Sequence, residues 1–344
     1  MRGSQIGLHT ITIRWSLAVF LLLALLQLSI GTTLHQNIQP AHGTVAEDTE
    51  SREAPTPDDI GLDKQWGISR ISAPQAWQIA SGNSDTIIAI LDTGIDQTHI
   101  DLAERVIANT NFTQSPTVDD LNGHGTHIAG IIGAIANNGI GIDGLAYNCS
   151  LLNVKVANDK GSCDAATVAE GIVWAVDNGA KVINLSLTIT NPTQALEDAV
   201  NYAWNHGVVV VAAAGNCVGD SPMYPACYSN CIAVGATDAN DSLRLGSSHN
   251  NWVDVAAPGV DIYSTLPDSK YGTKSGTSMA TAYVSGLAGL LITLVTDTNG
   301  NGQLNDEVQN IIENSCDEIG TPGAGKGRIN ALRAVRQALN LCTQ

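Results

Sequence analysis

Positive charge is what this chain has least of. Its 344 residues carry 16 Lys and Arg against 33 Asp and Glu, a formal charge of −17. Without a basic footprint, phosphate backbones have little to bind, which argues against nucleic acid as a partner. The same balance suits a hard cation such as Ca²⁺, which seeks carboxylate and carbonyl oxygens. Paired cysteines at metal spacing are also missing. Cys149, Cys163, Cys217, Cys227, Cys231, Cys316 and Cys342 form no C-x-x-C unit, so a zinc cluster is not expected. In an exported chain these seven residues would form at most three disulfides. A local bridge among Cys217, Cys227 and Cys231 and a tie between Cys316 and Cys342 are the expected places, with the pairing left open. Internal repeats are absent. Beyond the N-terminus no apolar run could span a bilayer. "VVVVAAAG" (Val208–Gly215) is too short and reads as a buried parallel strand.

The N-terminus is built differently. Arg2 and Arg14 precede the apolar run Leu17–Ile30, and Ser29 and Gly31 stand at −3 and −1 of a cut after Gly31. This is the build of a secretory signal peptide over 1–31, with an uncleaved anchor as the alternative. Membrane contact is expected through this segment alone. Residues 32–61 are mostly polar and acidic and read as a linker or short pro-segment. Residues 62–344 form one domain, and a chain 44% hydrophobic can build a sizeable core.

From Trp66 onward apolar runs alternate with helical patterns. Strands are expected at "TIIAILD" (Thr86–Asp92), "LLNVKV" (Leu151–Val156), "VINLSL" (Val182–Leu187), "VVVVAAAGN" (Val208–Asn216) and "CIAVGA" (Cys231–Ala236). Between them lie "GTHIAGIIGAI", "DAATVAEGIVWAVDNG" and "QALEDAVNYAWNHG". The alternation predicts an α/β fold in three layers: a central, mainly parallel sheet with helices on both faces. Ligands in such folds sit beyond the carboxyl ends of the strands, where Asp92 and Asn216 fall.

Four short stretches carry chemistry. "AILDTGID" ends a strand on Asp92, "NGHGTHIAG" places His124 at a helix entry, and "SGTSMATA" places Ser278 at another. A carboxylate can orient an imidazole, the imidazole can take a hydroxyl proton, and the serine can then attack a carbonyl carbon. Either His124 or His127 of "HGTH" could serve as that base. "AAAGN" ends a buried strand on Asn216, a candidate donor to an oxyanion. No G-x-S-x-G elbow surrounds Ser278, which argues against an esterase or lipase of the α/β-hydrolase kind.

These stretches, in the order Asp, His, Asn, Ser, resemble the subtilisin-like serine endopeptidases (subtilases), and the thermitase-like branch in particular. The likeness runs from about Gln65 to Leu339 and includes "VDVAAPG" and "YPACYSNCIAVGA". It implies a subtilisin-like fold and a monomer acting on protein or peptide substrates. It assigns Asp92, His124 and Ser278 to the triad and Asn216 to the oxyanion hole, which leaves His127 as a packed helix residue. It implies a substrate cleft lined by Asn184, Ser186, Leu187 and Thr188 on one side and Gly161 and Ser162 on the other, with Cys163 beside them. It also implies a structural Ca²⁺ held by Asp101 and Asn138, by Asp58 or Asp59, and by the carbonyls of Ala136, Ile140 and Ile142. A second, EF-hand-like loop sets Asp297, Asn299 and Asn301 at positions 1, 3 and 5, but position 12 is Val308. It could equally be a plain turn that caps the next helix.

Three departures from the family pattern stand out. Ala282 replaces a proline expected in the first turn of the serine helix. Thr188 and Ile189 replace a Gly-Gly pair, which predicts reshaped substrate pockets. Few residues are available for a folding-assistant segment before the catalytic domain. A decayed scaffold that only binds is the different-class alternative; the intact Asp92, His124, Asn216 and Ser278 speak against it.

Overall fold

The computed structural model describes residues 57–217, 221–248 and 251–342. The expected signal segment, 1–31, and most of the expected linker, 32–61, lie outside them. Residues 57–61 already belong to the packed body: Asp59 is buried, and Gly61 N–H donates to Gly141 O at 2.8 Å.

In chain order the elements begin with α1 (Trp66–Arg70), α2 (Ala73–Trp77), β1 (Ile87–Asp92), β2 (Val106–Asn111), α3 (His124–Gly133), β3 (Ser150–Lys155) and α4 (Ala165–Asp177). They continue with β4 (Val182–Leu185), α5 (Gln194–Asn205), β5 (Val209–Ala213), β6 (Ile232–Thr237), β7 (Val255–Pro258), β8 (Ile262–Leu266) and β9 (Lys270–Lys274). The chain closes with α6 (Thr277–Ile292), α7 (Asn305–Asn314) and α8 (Ala331–Cys342). Seven strands form one sheet in the order β2-β3-β1-β4-β5-β6-β7. All its pairings are parallel, and β8 and β9 make a separate antiparallel hairpin.

Alternation along β1 explains the layers, because successive side chains leave a strand on opposite faces. Ile88 and Ile90 join Ile128, Ile131 and Leu287 on the α3 and α6 side. Ala89 and Leu91 join Val168, Ile172 and Leu196 on the α4 and α5 side. The expected five strands are all present, four of them within two residues at either end; the one expected over Val208–Asn216 stops three residues sooner, at Ala213. Strands β2 and β7 were not legible. The edge strand β2, "VIANTN", is polar and only half-buried, and β7 is four residues long and ends in a proline.

The helices start in two ways. Asp164 caps α4, accepting from Ala166 N and Thr167 N in a capping box, and Thr193 caps α5. Neither α3 nor α6 has a side chain at its N-cap; glycines 123 and 276 stand there. Those two helices carry the histidine and the serine.

Among the described side chains no disulfide forms, which corrects the expected local bridge, and the Cys342 side chain lies outside them. Cys149, Cys163, Cys217, Cys227, Cys231 and Cys316 are free thiols. Cys217 is exposed while Cys231 is buried in the core on the α4 and α5 side. Cys316 packs in the opposite core and donates to Ile312 O at 3.3 Å.

Candidate active site

Strand β1 lies mid-sheet, with β3 and β2 on one flank and β4 onward on the other. The carboxyl ends of β1 and β4 therefore form the switch point at which open α/β sheets bind ligands. Asp92 ends β1, and Ser186, Leu187 and Thr188 follow β4.

Asp92 Oδ1 meets His124 Nδ1 at 2.7 Å. The same oxygen accepts Thr93 N–H at 2.7 Å, while Oδ2 is buried without a partner. Asp92 is 3% exposed and the His124 side chain 27%. The carboxylate is sealed in and the imidazole's outer edge faces the cleft. Burial alone would depress the imidazole pKa. The charge and hydrogen bond of Asp92 outweigh it, helped by Asp120 and opposed by Lys274, and the value is raised above 6.5. Gly125 makes the approach possible: a Cβ there would stand 2.1 Å from Gly94 O and 3.1 Å from Asp92 Cβ.

Sequence reasoning missed the group that holds this pair. Asp120 accepts Thr93 Oγ1–H at 2.8 Å, Gly123 N–H at 2.8 Å, Asn122 N–H at 2.9 Å and Thr126 N–H at 2.8 Å. It satisfies the N-terminal turn of α3 and ties it to the residue after Asp92. An acid just before a glycine-led helix entry, "DLNGH", was the available signal. Buried Lys155 also holds this corner, donating to Thr93 O at 2.6 Å and Asp159 Oδ1 at 2.7 Å.

His127 is not a second base. It is fully buried, its Nε2 donating to Ile262 O at 3.0 Å and Gly272 O at 3.3 Å. Burial, with the Lys274 and His124 charges, lowers its pKa to about 3, so it stays neutral.

Ser278 is the second residue of α6 and is 7% exposed. Its Oγ–H donates to Ser186 O at 3.1 Å rather than to His124, and Ser186 Oγ–H donates to Ser278 O at 3.0 Å. Asn184 lies beneath. It donates from Nδ2 to Ser186 Oγ at 3.0 Å and accepts Ser285 Oγ–H at 2.9 Å. It supports the cleft without lining it.

Asn216 follows β5. Its Oδ1 accepts Thr277 N–H at 3.0 Å and an Arg244 guanidinium N–H at 3.4 Å. Fixing the oxygen end leaves Nδ2 to donate. Ser278 N–H, in the first turn of α6, has no intrahelical partner. Both are donors of the kind that an oxyanion hole uses.

The cleft has a volume of about 490 Å³. Ser186, Leu187 and Thr188 form one wall and Gly161, Ser162 and Cys163 the other, with Asp92 and His124 between. The backbone of Ile189 is engaged elsewhere, paired with Tyr224 in both directions at 2.7 and 2.9 Å. Ala282 is the sixth residue of α6, not part of its first turn as expected, and it is fully buried.

Asp101 is buried. It accepts Ile142 N–H at 3.0 Å, Tyr271 O–H at 3.1 Å and Asn138 Nδ2–H at 2.7 Å. Asp59 takes Gly139 N–H at 2.7 Å from the same loop. Asp58 is exposed, so of the two acids Asp59 faces the loop. Ala136, Ile140 and Ile142 belong to that loop. Gly141 is needed there, since its φ is +62° and a Cβ would stand 2.0 Å from Asp101 Oδ2. Burial first, then the neighbouring Asp59, pushes the Asp143 carboxyl up to about 7. In the second loop Asp297 accepts Asn299 N–H, Gly300 N–H and Gly302 N–H, while the Asn299 and Asn301 amides turn to Asp306. This loop does not cap α7. Val308, at ligand position 12, is buried in the core. Among the described residues no three His, Cys, Asp or Glu side chains already converge as a metal site.

Comparison with known proteins agrees with this geometry. Residues 83–331 match the family model described as Peptidase S8, subtilase family. Thermitase of Thermoactinomyces vulgaris is 49% identical over 276 residues, covering 79% of this chain and 96% of the relative. Subtilisin Savinase of Lederbergia lenta is 43% identical over 273 residues, covering 79% and 98%. A solved protease from Pseudoalteromonas arctica superposes with a TM-score of 0.75 at 28% identity, covering 83% of this chain and all of that one. The chain therefore belongs to the subtilase family, and its activity class is that of a subtilisin-type serine endopeptidase.

Proposed function

We propose that the protein cleaves peptide bonds through an acyl-enzyme on Ser278. As Ser278 Oγ attacks the scissile carbonyl, His124 Nε2 takes its proton and later passes it to the leaving amine. Asp92 keeps the proton of the neutral imidazole on Nδ1 and stabilises the imidazolium that forms. Asn216 Nδ2 and Ser278 N–H meet the oxyanion. Water then adds to the acyl carbon as His124 takes its proton, the acyl–Oγ bond breaks, and His124 returns the proton to Ser278 Oγ as the acid product leaves. The single observation that carries this reading is the 2.7 Å bond from His124 Nδ1 to a carboxylate buried at the switch point.

Substrate lies between Ser186–Thr188 and Gly161–Ser162 as an extended peptide. Thr188 fills space at that wall, so specificity is narrower than that of a general digestive enzyme. Residues 1–31 direct export and the enzyme acts as a monomer outside the cell. A structural Ca²⁺ is held by Asp59, Asp101 and Asn138 with loop carbonyls; the buried oxygens without partners beside Asp59 suit it. When bound, the ion supplies no chemistry at the serine and ties the N-terminal arm to the loop.

A serine-directed phosphonate followed by mass spectrometry tests the reading. A single adduct on Ser278, lost in the His124→Ala variant, is expected. A folded sample that takes no adduct would leave a protease scaffold acting as a binding protein.

A further inference from the structure

Asp143 is a carboxylate without an explanation in the catalytic machinery. It is fully buried, and neither of its oxygens has a hydrogen-bond partner. Its backbone is clamped from both sides by Gln65, whose Nε2 donates to Asp143 O at 2.8 Å and whose Oε1 accepts Asp143 N–H at 3.0 Å. The side chain stands beside the Asp59 carboxyl, which is tied to the same loop through Gly139 N–H at 2.7 Å. Asp59 is 3% exposed, and its Oδ2 also has no partner. Asp101, fully buried, stands behind them.

Burying one carboxylate without a partner is costly, and placing a second against it is worse. While both groups are ionised, hydrogen bonding does not resolve the pair, since a carboxylate oxygen can only accept and none of these three atoms has a donor; a shared proton would join them only by keeping one acid neutral. A divalent hard cation resolves it, as it takes several oxygens at once and cancels two charges. The ligand set implied by the family resemblance stops at two acids and an asparagine side chain. Asp143 lies outside that set.

We infer that Asp143 is a further calcium ligand, pairing with Asp59 across the loop 136–143. This rests on the calcium reading above. The ion is held by one more carboxylate than the resemblance implies, so the site binds more tightly when filled and strains the fold more when empty.

The test uses the full mature chain with Ser278→Ala to prevent self-digestion. Calcium titration by calorimetry and melting curves with Ca²⁺ or EDTA are read for the parent, Asp143→Asn and Asp58→Asn. Asp143→Ala stands in should the asparagine variant fail to fold. The expected result is a Kd at least about 10-fold weaker in Asp143→Asn, since each decade is about 1.4 kcal/mol and the variant loses a charged ligand. Its melting temperature in EDTA is at or above the parent's, and its gain on adding Ca²⁺ is smaller. Asp58→Asn removes the same charge from an exposed neighbour and should stay within about twofold of the parent. If the parent ignores both Ca²⁺ and EDTA, the calcium reading itself falls. If the parent responds and Asp143→Asn binds within about twofold, only the role of Asp143 falls. Equal weakening by Asp58→Asn would reduce the effect to a general field and overturn the assignment too.

Discussion

Ser278 and Ser186 are joined twice, each hydroxyl donating to the other's backbone carbonyl at 3.1 and 3.0 Å. In the proposed mechanism Ser278 leaves this bond and turns about χ1 toward His124. Staggered rotamers make this a hop between wells, cheap beside the chemistry. Ser278→Ala loses this one side-chain bond, about 1 kcal/mol, so it folds. Turnover should fall by ~10⁶, the factor by which subtilisin slows when it loses its own serine. Hydrolysis of a peptide substrate, followed beside a melting curve, checks both halves.

Activity should fall in acid with a midpoint above pH 6.5, because the base must be neutral and Asp92 raises its pKa despite burial. Asp92→Asn should move that midpoint down. Stability runs the other way. A raised folded pKa stabilises fully below the unfolded value, and the gain is lost as pH rises through the folded one. In a Ser278→Ala background, the melting difference between Asp92 and Asp92→Asn should therefore shrink as pH climbs from about 6.5 through the raised value. A kcat/KM profile with its midpoint below 6.5 would contradict the coupling.

The two histidines of "HGTH" separate cleanly. His127→Ala leaves the carbonyls of Ile262 and Gly272 without their donor and opens a cavity in the core. It should cost about 2–4 kcal/mol of stability. The residual folded enzyme should keep its acid midpoint, since His127 is neutral throughout. A shifted midpoint in that variant would reopen the choice of base.

Asn216→Ala should lower kcat by ~10²–10³ with little change in KM, the loss found for the corresponding donor in subtilisin. The change also strips Thr277 N–H of its acceptor. Asn216→Asp is therefore the sharper probe. It keeps an oxygen for Thr277 but offers none of the donors an oxyanion needs, and it should be as slow as the alanine.

Much of the site was legible because its parts are local. A carboxylate closing an apolar strand, a histidine or serine opening a helix of small residues, and an asparagine ending a buried strand each mark themselves within a few residues. What was not legible is made between distant segments. The hold of Asp120 on Thr93 and the α3 turn, the Ser285–Asn184–Ser186 support and the clamp of Gln65 on Asp143 span up to 101 residues. The choice between Asp58 and Asp59 needed burial, which adjacent identical residues cannot disclose. The disulfide expectation followed compartment and count, and neither says where sulfur atoms stand.

Helix α6 has 15 of its 16 residues buried, Ser278 among them. The proposed nucleophile is thus mounted on the core itself. Loosening a surface loop leaves it in place, and losing it takes unfolding of the core. A molecule digested through unfolding of its core has already lost the alignment of its own serine. Prey and predator are then different molecules, and the rate of self-digestion should scale with the fraction unfolded times the fraction intact.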